Sequence, residues 1–135
     1  MEARTQALRD RTKQFALRIL RLFRSLPNRP DGRIVGSQIL RSGTSVAANY
    51  RAACRARSRA DFVSKMGIVV EEMDETAFWL EFIQDGGLVK PSRMQALLAE
   101  ANELLAIFGA SQLTAKSNGV SRPGARKLLS FVNRQ

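Results

Sequence analysis

The feature that most constrains the fold of this chain is a strict seven-residue spacing of largely apolar side chains between residues 59 and 85. Two columns repeat at this spacing: Phe62, Val69, Thr76 and Ile83 in one, and Met66, Met73 and Leu80 in the other. Because an α-helix turns once in about 3.6 residues, both columns fall on one side of a helix. Ser58 and Asp61 supply a capping pair at its start, and Gly86 stands where it would end. The segment therefore predicts an amphipathic helix that packs against other helices.

Three other segments show helical spacing and are separated by turn-forming residues. Together the four predicted helices span about residues 4–26, 32–57, 59–85 and 92–114. The connections are short, which makes consecutive helices antiparallel. A chain of 135 residues has the length of one domain. The sequence therefore predicts an all-α, up-down-up-down four-helix bundle over residues 1–115, followed by a basic, mostly flexible tail over residues 116–135.

Charge is distributed unevenly along the chain, whose net charge is +10. Residues 1–60 hold 14 Lys and Arg against three acids, a net of +11, and residues 61–115 hold nine acids against three bases, a net of −6. Residues 116–135 add five bases and no acid. Arginine pairs with phosphate and with carboxylate alike. We expect both uses: arginines such as Arg18 and Arg41 pair with acids of the third helix, and others face phosphate.

The residue types exclude several classes of enzyme. Without histidine the chain lacks the base of Ser-His-Asp and Cys-His catalysis, and with only Cys54 it also lacks the usual zinc ligands. We predict no catalytic residues, no metal and no cofactor. Glu72 and Glu75 lie one helical turn apart, so a hard-cation site is the alternative to ion pairing with arginines. The corresponding enzyme alternative is a magnesium-dependent nuclease using Glu71, Glu72 and Glu75.

The compartment follows from the same composition. The lone cysteine fits a reducing environment. The N-terminal residues show no apolar signal segment, and no apolar run reaches about 18 residues. We therefore expect a cytoplasmic protein that has no membrane partner.

Polar residues interrupt the apolar seam of the second predicted helix. The seam contains Val35, Ile39, Ser42, Val46, Asn49 and Ala53. A buried polar group without a partner costs about 1–3 kcal/mol. We therefore expect Ser42 and Asn49 to be hydrogen-bonded across the bundle to Glu72, Glu75 or Thr76. These five residues form the predicted structural polar core, in which Asn49 fixes the register of the helices.

Two surfaces are candidate contacts between chains. Phe78, Trp79 and Phe82 lie beyond the two columns of the third helix and add more apolar surface than those columns require. Trp79 is therefore either a core or an interface residue. Gly43 and Ala47 form a small-residue face on the second helix, which another backbone can approach closely. Exposed apolar patches commonly mark interfaces. We predict an oligomer larger than a dimer built on these five residues.

An arginine cluster marks the candidate nucleic-acid-binding site. Four arginines lie within nine residues at the junction of the second and third helices: Arg51, Arg55, Arg57 and Arg59. Three bases of the tail join them in this prediction: Arg122, Arg126 and Lys127. No acid occurs between Gly32 and Ala60. This density favours phosphate contacts, with Tyr50 placed to stack on a base. The alternative is a solvated charged helix end.

Residues 41–83 resemble the diagnostic block of the four-helix-bundle proteins encoded in intervening sequences of bacterial 23S ribosomal RNA genes. The segment reads RSGTSVAANYRAACRARSRADFVSKMGIVVEEMDETAFWLEFI. The shared pattern is Ser-x-x-Ser-(Val/Ile)-x-x-Asn, then Ser-x-x-Asp-Phe, then Lys, then Glu-x-x-Glu-Thr-x-x-Trp-Leu. Its positions here are Ser42, Ser45, Val46, Asn49, Ser58, Asp61, Phe62, Lys65, Glu72, Glu75, Thr76, Trp79 and Leu80. Two positions depart from the family. Its members usually carry a Glu where this chain has Ala52-Ala53, and they often carry a Lys where this chain has Glu71.

The resemblance implies an up-down four-helix bundle that assembles as a ring, typically a homopentamer. It also implies kinship with the accessory proteins of diversity-generating retroelements, which are basic pentameric bundles that bind nucleic acid and a reverse transcriptase. We therefore expect a non-enzymatic oligomer that binds nucleic acid, in particular structured RNA. The alternative is a protein-interaction scaffold or an accessory subunit of a reverse transcriptase or another partner.

Overall fold

A computed structural model describes residues 2–119 and shows an all-α bundle. Within this range there are four helices: α1 Ala3–Ser25, α2 Pro30–Ala53, α3 Arg59–Asp85 and α4 Pro91–Gly119. Connections of four or five residues join them, so consecutive helices run antiparallel. The all-α four-helix bundle predicted from the sequence is confirmed, and its assembly into a ring stays a prediction.

Local sequence sets the ends of the helices. Pro30 opens α2 two residues before the expected start, because a fixed φ and a missing N–H suit the first helical position. The Ser58 hydroxyl accepts a hydrogen bond of 3.1 Å from the Asp61 N–H and caps α3. α2 ends at Ala53 rather than near residue 57, because the next N–H groups, of Arg55 and Ala56, bond the carbonyls three residues back instead of four. α4 continues to Gly119, into the segment that the sequence assigned to the tail.

The core lies between helices arranged in the cyclic order α1–α2–α3–α4. In the described part of the chain, α1 and α4 share the smallest contact, and α1 and α3 are diagonal, with no pair of their Cα atoms within 8 Å. The largest fully buried side chains are Phe15, Ile19, Ile39, Val46, Met66, Val69, Met73, Leu80, Ile83, Met94, Leu104 and Phe108. Both columns of α3 thus reach the core, although Phe62 is only half-buried. None of the helices within residues 2–119 is long and apolar enough to cross a membrane.

α1 and α2 come close together at the small residues of α2. A Cβ added at Gly43 would lie 2.9 Å from Cγ2 and 3.0 Å from Cγ1 of Ile19. A Cβ added at Gly36 would lie 3.1 Å from both Phe23 and Leu26. The sequence assigned Gly43 to a contact between chains, but the structure places it in a contact between two helices of one chain, because Ile19 covers it.

Replacing Gly43 by Ala tests how closely the two helices must approach. Ala is the better helix former by about 1 kcal/mol. At Gly43, however, its methyl group overlaps Ile19, and such overpacking typically costs about 1–3 kcal/mol. We expect G43A to have a lower free energy of unfolding than G109A, because nothing lies within 4 Å of a Cβ at Gly109. Urea denaturation followed by circular dichroism measures both, and equal stabilities would show that Ile19 moves aside without cost.

Candidate nucleic-acid interface

Three of the four junction arginines line one shallow groove. Arg51 lies in the last turn of α2, and Arg55 and Arg57 lie in the connection to α3. All three side chains are exposed. The groove has a volume of about 640 Å³, and its other lining residues are Ala48, Ala52, Asp61 and Lys65. The short alanine side chains leave the guanidinium groups accessible to a ligand.

An ion pair reduces the negative charge in this groove. Lys65 Nζ donates to Asp61 Oδ2 over 2.7 Å, and the Arg57 N–H donates to the same oxygen over 3.3 Å. These bonds, that of Lys65 first, hold the pKa of Asp61 below its ordinary value, so the carboxylate stays ionised and paired. Within residues 2–118, Arg51, Arg55 and Arg57 have no ion pair with an acid.

The basic surface continues onto α1. Arg51 also lines a neighbouring groove of about 370 Å³ between α1 and α2, which Arg9 and Lys13 line from the α1 side. The carboxylate of Asp10 in this groove accepts a hydrogen bond from Gln6 Nε2 over 2.9 Å. Arg51 lines both grooves and joins their cations into one surface, which we name the basic strip: Arg9, Lys13, Arg51, Arg55, Arg57 and Lys65.

Sequence reasoning missed half of the basic strip. Arg9, Lys13 and Lys65 lie far from the arginine cluster in sequence or within the acidic middle region. The antiparallel topology could have indicated them, because it brings the first half of α1, the end of α2 and the start of α3 to one end of the bundle. Arg9 and Lys13 are also four residues apart and so share one side of α1.

Arg59 does not belong to the basic strip. Its Nη1 donates to the main-chain carbonyl of Asn118 over 2.9 Å, and its side chain lines a different groove beside Leu8 and Phe62. Arg59 and Asp61 are two positions apart in α3, and such residues point about 200° apart around a helix. Arg59 therefore does not face the groove that Asp61 lines. Arg122, Arg126 and Lys127 lie outside the described residues, and their assignment stays a prediction.

Tyr50 is not available to stack on a base. Its side chain is only 5% exposed and packs against Phe108, with 5.2 Å between the ring centroids. Burial, and to a lesser degree the neighbouring Cys54, raises the pKa of Tyr50, so its hydroxyl stays protonated. Consecutive helical residues point about 100° apart, which is why Tyr50 can be buried while Arg51 is exposed. The expectation of stacking is wrong.

A polar contact between α2 and α3 lies in the core. The hydroxyl oxygens of Ser42 and Thr76 are 2.9 Å apart, and both residues are fully buried. The Thr76 hydroxyl also lies 2.7 Å from the main-chain carbonyl of Glu72. Asn49 differs from the expectation: it is half-buried, and its amide donates to the carbonyl and the hydroxyl of Ser45 over 2.9 and 2.8 Å. These bonds use the Asn49 NH2 group within α2, and no hydrogen bond joins Asn49 to α3 among the described residues.

The carboxylates of Glu72 and Glu75 bind Arg41 of α2. Arg41 Nη2 donates to Glu75 Oε2, and its Nη1 lies 3.5 Å from Glu72 Oε1. The guanidinium therefore occupies the space that a cation bound by both carboxylates would need. Glu71 is exposed and takes no part in this cluster. Within residues 2–118, no three His, Cys, Asp or Glu side chains are grouped so that they could hold a metal ion.

α1 pairs with α4 and not with α3. The sequence had suggested that Arg18 pairs with an acid of α3, but no such ion pair forms within residues 2–118, because α1 and α3 are diagonal in the bundle. Instead, Arg11 Nε and Nη2 donate to Glu100 Oε2 and Oε1 over 2.9 and 2.6 Å. Arg11 Nη2 also lies 3.0 Å from Glu103 Oε1. The bidentate contact raises the pKa of Arg11 and lowers that of Glu100. Arg11 thus fastens the two adjacent helices that share the smallest contact.

An aromatic patch, composed of Phe78, Trp79 and Phe82, lies on the second half of α3. Phe78 is 52% and Phe82 47% exposed. Trp79 is half-buried against the core and makes edge contacts to both, with centroids 5.0 and 5.6 Å apart. Its Nε1 is buried without a hydrogen-bond partner among the described residues. Trp79 thus contributes to the core and to the patch, whereas Ala47 lines the groove beside Arg51.

Comparison with known proteins identifies the family. Residues 5–110 match the family model of the 23S rRNA-intervening sequence protein. The chain belongs to this family. The resemblance drawn from residues 41–83 is therefore confirmed. The matched range contains the basic strip, the Arg41 cluster and the aromatic patch.

A solved structure shares the fold. It is the crystal structure of a protein of unknown function from the S23 ribosomal protein family of Bacteroides thetaiotaomicron. The two sequences are 32% identical, the match covers 80% of this chain and 96% of the other, and the TM-score is 0.74. Among curated proteins, none matches this chain.

The Arg11–Glu100 pair makes stability depend on pH in a defined direction. We expect Glu100→Gln to lower the free energy of unfolding by about 1 kcal/mol at neutral pH, since the pair is only partly buried. The pKa of Glu100 is lower in the folded than in the unfolded state. The contribution of the pair is therefore fully present above the ordinary value of 4.5 and is lost as the pH falls through the folded-state pKa.

Denaturation of the parent and of E100Q between neutral pH and about pH 3 measures this contribution. The difference between them should shrink as the pH falls below the ordinary carboxyl range. E103Q is the matched control, because the side chain of Glu103 is 63% exposed and its removal should cost less. A difference between parent and E100Q that does not change with pH would contradict the role of the ion pair.

Proposed function

We propose that this protein is a non-enzymatic, oligomeric nucleic-acid-binding bundle whose basic strip contacts the phosphates of structured RNA. The observation that carries the proposal is the continuity of the strip. Because Arg51 lines both grooves, cations from α1, α2, the α2–α3 connection and α3 form one surface. Each phosphate contact to Arg or Lys releases counterions, which favours binding. The family's description, which refers to intervening sequences of 23S rRNA, supports RNA as the ligand.

The composition of the strip favours recognition of backbone and shape over recognition of bases. The residues that line its two grooves include no aromatic side chain, and the adjacent Tyr50 is buried. Arginine forks distributed along shallow grooves suit a row of phosphates, and double-helical RNA is recognised largely through its shape and backbone. We therefore expect a weak dependence of affinity on sequence and a steep dependence on salt.

No catalytic role is assigned to the acids of α3. Arg41 lies between the carboxylates of Glu72 and Glu75, and Glu71 is outside this cluster. A divalent ion would have to displace the guanidinium and would leave its charge without a partner, which is costly where the site is partly buried. The proposed protein therefore binds RNA without cleaving it and uses no cofactor.

We further propose that the aromatic patch forms contacts between copies of the chain, in a ring of about five. A second chain would cover the exposed rings of Phe78 and Phe82. Repetition of the basic strip around such a ring would multiply modest phosphate affinities, because further contacts become intramolecular.

A second candidate function is a cytoplasmic scaffold or an accessory subunit of a reverse transcriptase. The aromatic patch favours it, since an exposed apolar patch suits a different protein as well as another copy of the chain. The two functions differ in what co-purifies with the chain. Nucleic acid that no longer co-purifies after mutation of the basic strip supports the first, and a protein that no longer co-purifies after mutation of the patch supports the second.

The variant R51Q/R55Q/R57Q tests the role of the basic strip. We expect the parent to bind an RNA hairpin at about 50 mM salt, where phosphate contacts are strongest, and the variant to bind it more than about tenfold more weakly. The slope of log affinity against log salt should fall by about 0.7–0.9 for each phosphate that the variant no longer neutralises. Filter binding over a salt series measures both quantities.

A control with the same charge separates local contacts from net charge. R24Q/R29Q/R33Q removes three exposed arginines from the opposite end of the bundle. It should weaken binding only slightly and retain the parental slope. If the parent retains neither RNA nor DNA at about 50 mM salt, the proposed function is wrong. If R51Q/R55Q/R57Q and R24Q/R29Q/R33Q have the same RNA affinity and the same salt slope, the basic strip is only a solvated charged surface.

The variant F78Q/F82Q tests the aromatic patch. Both rings are about half exposed, so their replacement should leave the helix content unchanged while it removes apolar area from the contact between chains. We expect light scattering to show a parent larger than a dimer and a variant of smaller mass. I34Q is the control, because Ile34 is 64% exposed at the start of α2. A parent that is monomeric at micromolar concentration would exclude the ring.

A further inference from the structure

A second basic groove lies between α1 and α4, at the opposite end of the bundle from the basic strip. Arg18 and Arg21 of α1 face Arg93 of α4 across it. We name this site the α1–α4 groove, and its other lining residues are Leu22, Ser25, Val89 and Leu97. The three apolar side chains among them are buried and form the floor, and the arginines form the walls.

No carboxylate among the described residues forms an ion pair with these arginines. None of the residues that line the α1–α4 groove is acidic, and Arg18, Arg21 and Arg93 have no ion pair within residues 2–118. Glu100 acts on Arg18 only through its charge, because both of its oxygens are bound by Arg11 at 2.9 and 2.6 Å. Three guanidinium groups beside an apolar floor repel one another unless an anion lies between them.

The start of α4 adds to the positive potential. Arg93 is the third residue of α4, and the first turn contains no acid. The positive end of the helix dipole favours carboxylates at such positions and disfavours cations. The dipole and the three arginines thus act in the same direction at this end of the groove.

We propose that the α1–α4 groove binds a phosphate group. Its volume of about 230 Å³ is several times the roughly 30 Å³ that a water molecule occupies, so it accommodates one phosphate with hydrating water. Arg18 and Arg21 are three residues apart and share one side of α1, and each guanidinium fork matches two phosphate oxygens. The Ser25 hydroxyl donates to the Leu22 carbonyl over 2.8 Å, so the arginines supply the donors.

The site also has a consequence for the bundle. A phosphate held by Arg21 of α1 and Arg93 of α4 joins the two adjacent helices with the smallest contact. The ion pairs of Arg11 also join these helices, and Arg11 lies ten residues, or about 15 Å, from Arg21 along α1. Phosphate binding therefore stabilises the fold by mass action and raises the thermal midpoint.

The groove itself is tested with inorganic pyrophosphate on the full chain. Calorimetric titration compares the parent with R18Q/R21Q/R93Q and with R24Q/R29Q/R33Q, which has the same net charge and retains the groove. We expect saturable binding and a raised thermal midpoint in the parent and the control. Binding should be at least about tenfold weaker in R18Q/R21Q/R93Q, since one charge-assisted hydrogen bond alone is worth that factor.

Two outcomes overturn the inference. One is a parent without saturable pyrophosphate binding, and the other is equal binding by the parent and R18Q/R21Q/R93Q. If the triple variant does not fold, R93Q replaces it, because Arg93 is exposed and removing a cation from the first turn of α4 should not destabilise the helix. R93Q that binds pyrophosphate as tightly as the parent also overturns the inference.

Binding of the RNA hairpin over the salt series identifies the source of the phosphate. This measurement rests on the proposed function. A smaller salt slope for R18Q/R21Q/R93Q than for R24Q/R29Q/R33Q identifies the RNA backbone as the ligand. An unchanged slope, with pyrophosphate binding retained by the parent, identifies a small phosphate compound. A parent that binds pyrophosphate and no RNA keeps the groove and ends the proposed function. A parent that binds RNA and no pyrophosphate supports the proposed function and overturns the phosphate site in the α1–α4 groove.

Discussion

The bundle depends on how closely α2 packs against the helices on either side of it. On the α1 side, Gly43 leaves room only for Ile19, because an added Cβ would lie within 3.0 Å of its side chain. On the α3 side, the hydroxyls of Ser42 and Thr76 meet at 2.9 Å inside an apolar core. A buried polar contact of this kind is satisfied in one axial register and costs free energy in others. The register of α2 therefore fixes where its last turn, and with it Arg51, stands relative to α1 and α3.

The basic strip is a consequence of this topology rather than of the local arginine density. Antiparallel helices bring the first half of α1, the end of α2 and the start of α3 to one end of the bundle, so Arg9, Lys13 and Lys65 join arginines that are remote in sequence. The same geometry separates neighbours in sequence, since Arg59 faces Asn118 while Arg57 faces the groove. Charge on this surface is a property of the fold.

Periodicity was sufficient to predict the helices, their antiparallel order and the buried columns of α3, because these depend on local spacing. It was insufficient for individual polar residues. Tyr50 follows Gly36 and Gly43 at seven-residue spacing in a further buried column of α2, which apolar periodicity does not reveal because two of its members are glycines. Asn49 lies on the predicted seam but is only half-buried. Whether Arg11 or Arg18 pairs with an acid depends on which helices are adjacent and which are diagonal, and no local pattern contains that information.

The distribution of acids and bases is compatible with both the proposed assembly and the proposed phosphate binding in one small bundle. Carboxylates of α3 and α4 are partly neutralised inside the chain by Arg41 and Arg11, so cations elsewhere remain for phosphate. The aromatic patch lies on the second half of α3, diagonal to α1. Lys65, the strip residue on α3, precedes Phe78 by 13 residues, or about 20 Å along the helix. A contact between chains through the patch would therefore leave the basic strip uncovered, so one RNA could contact the strips of several copies.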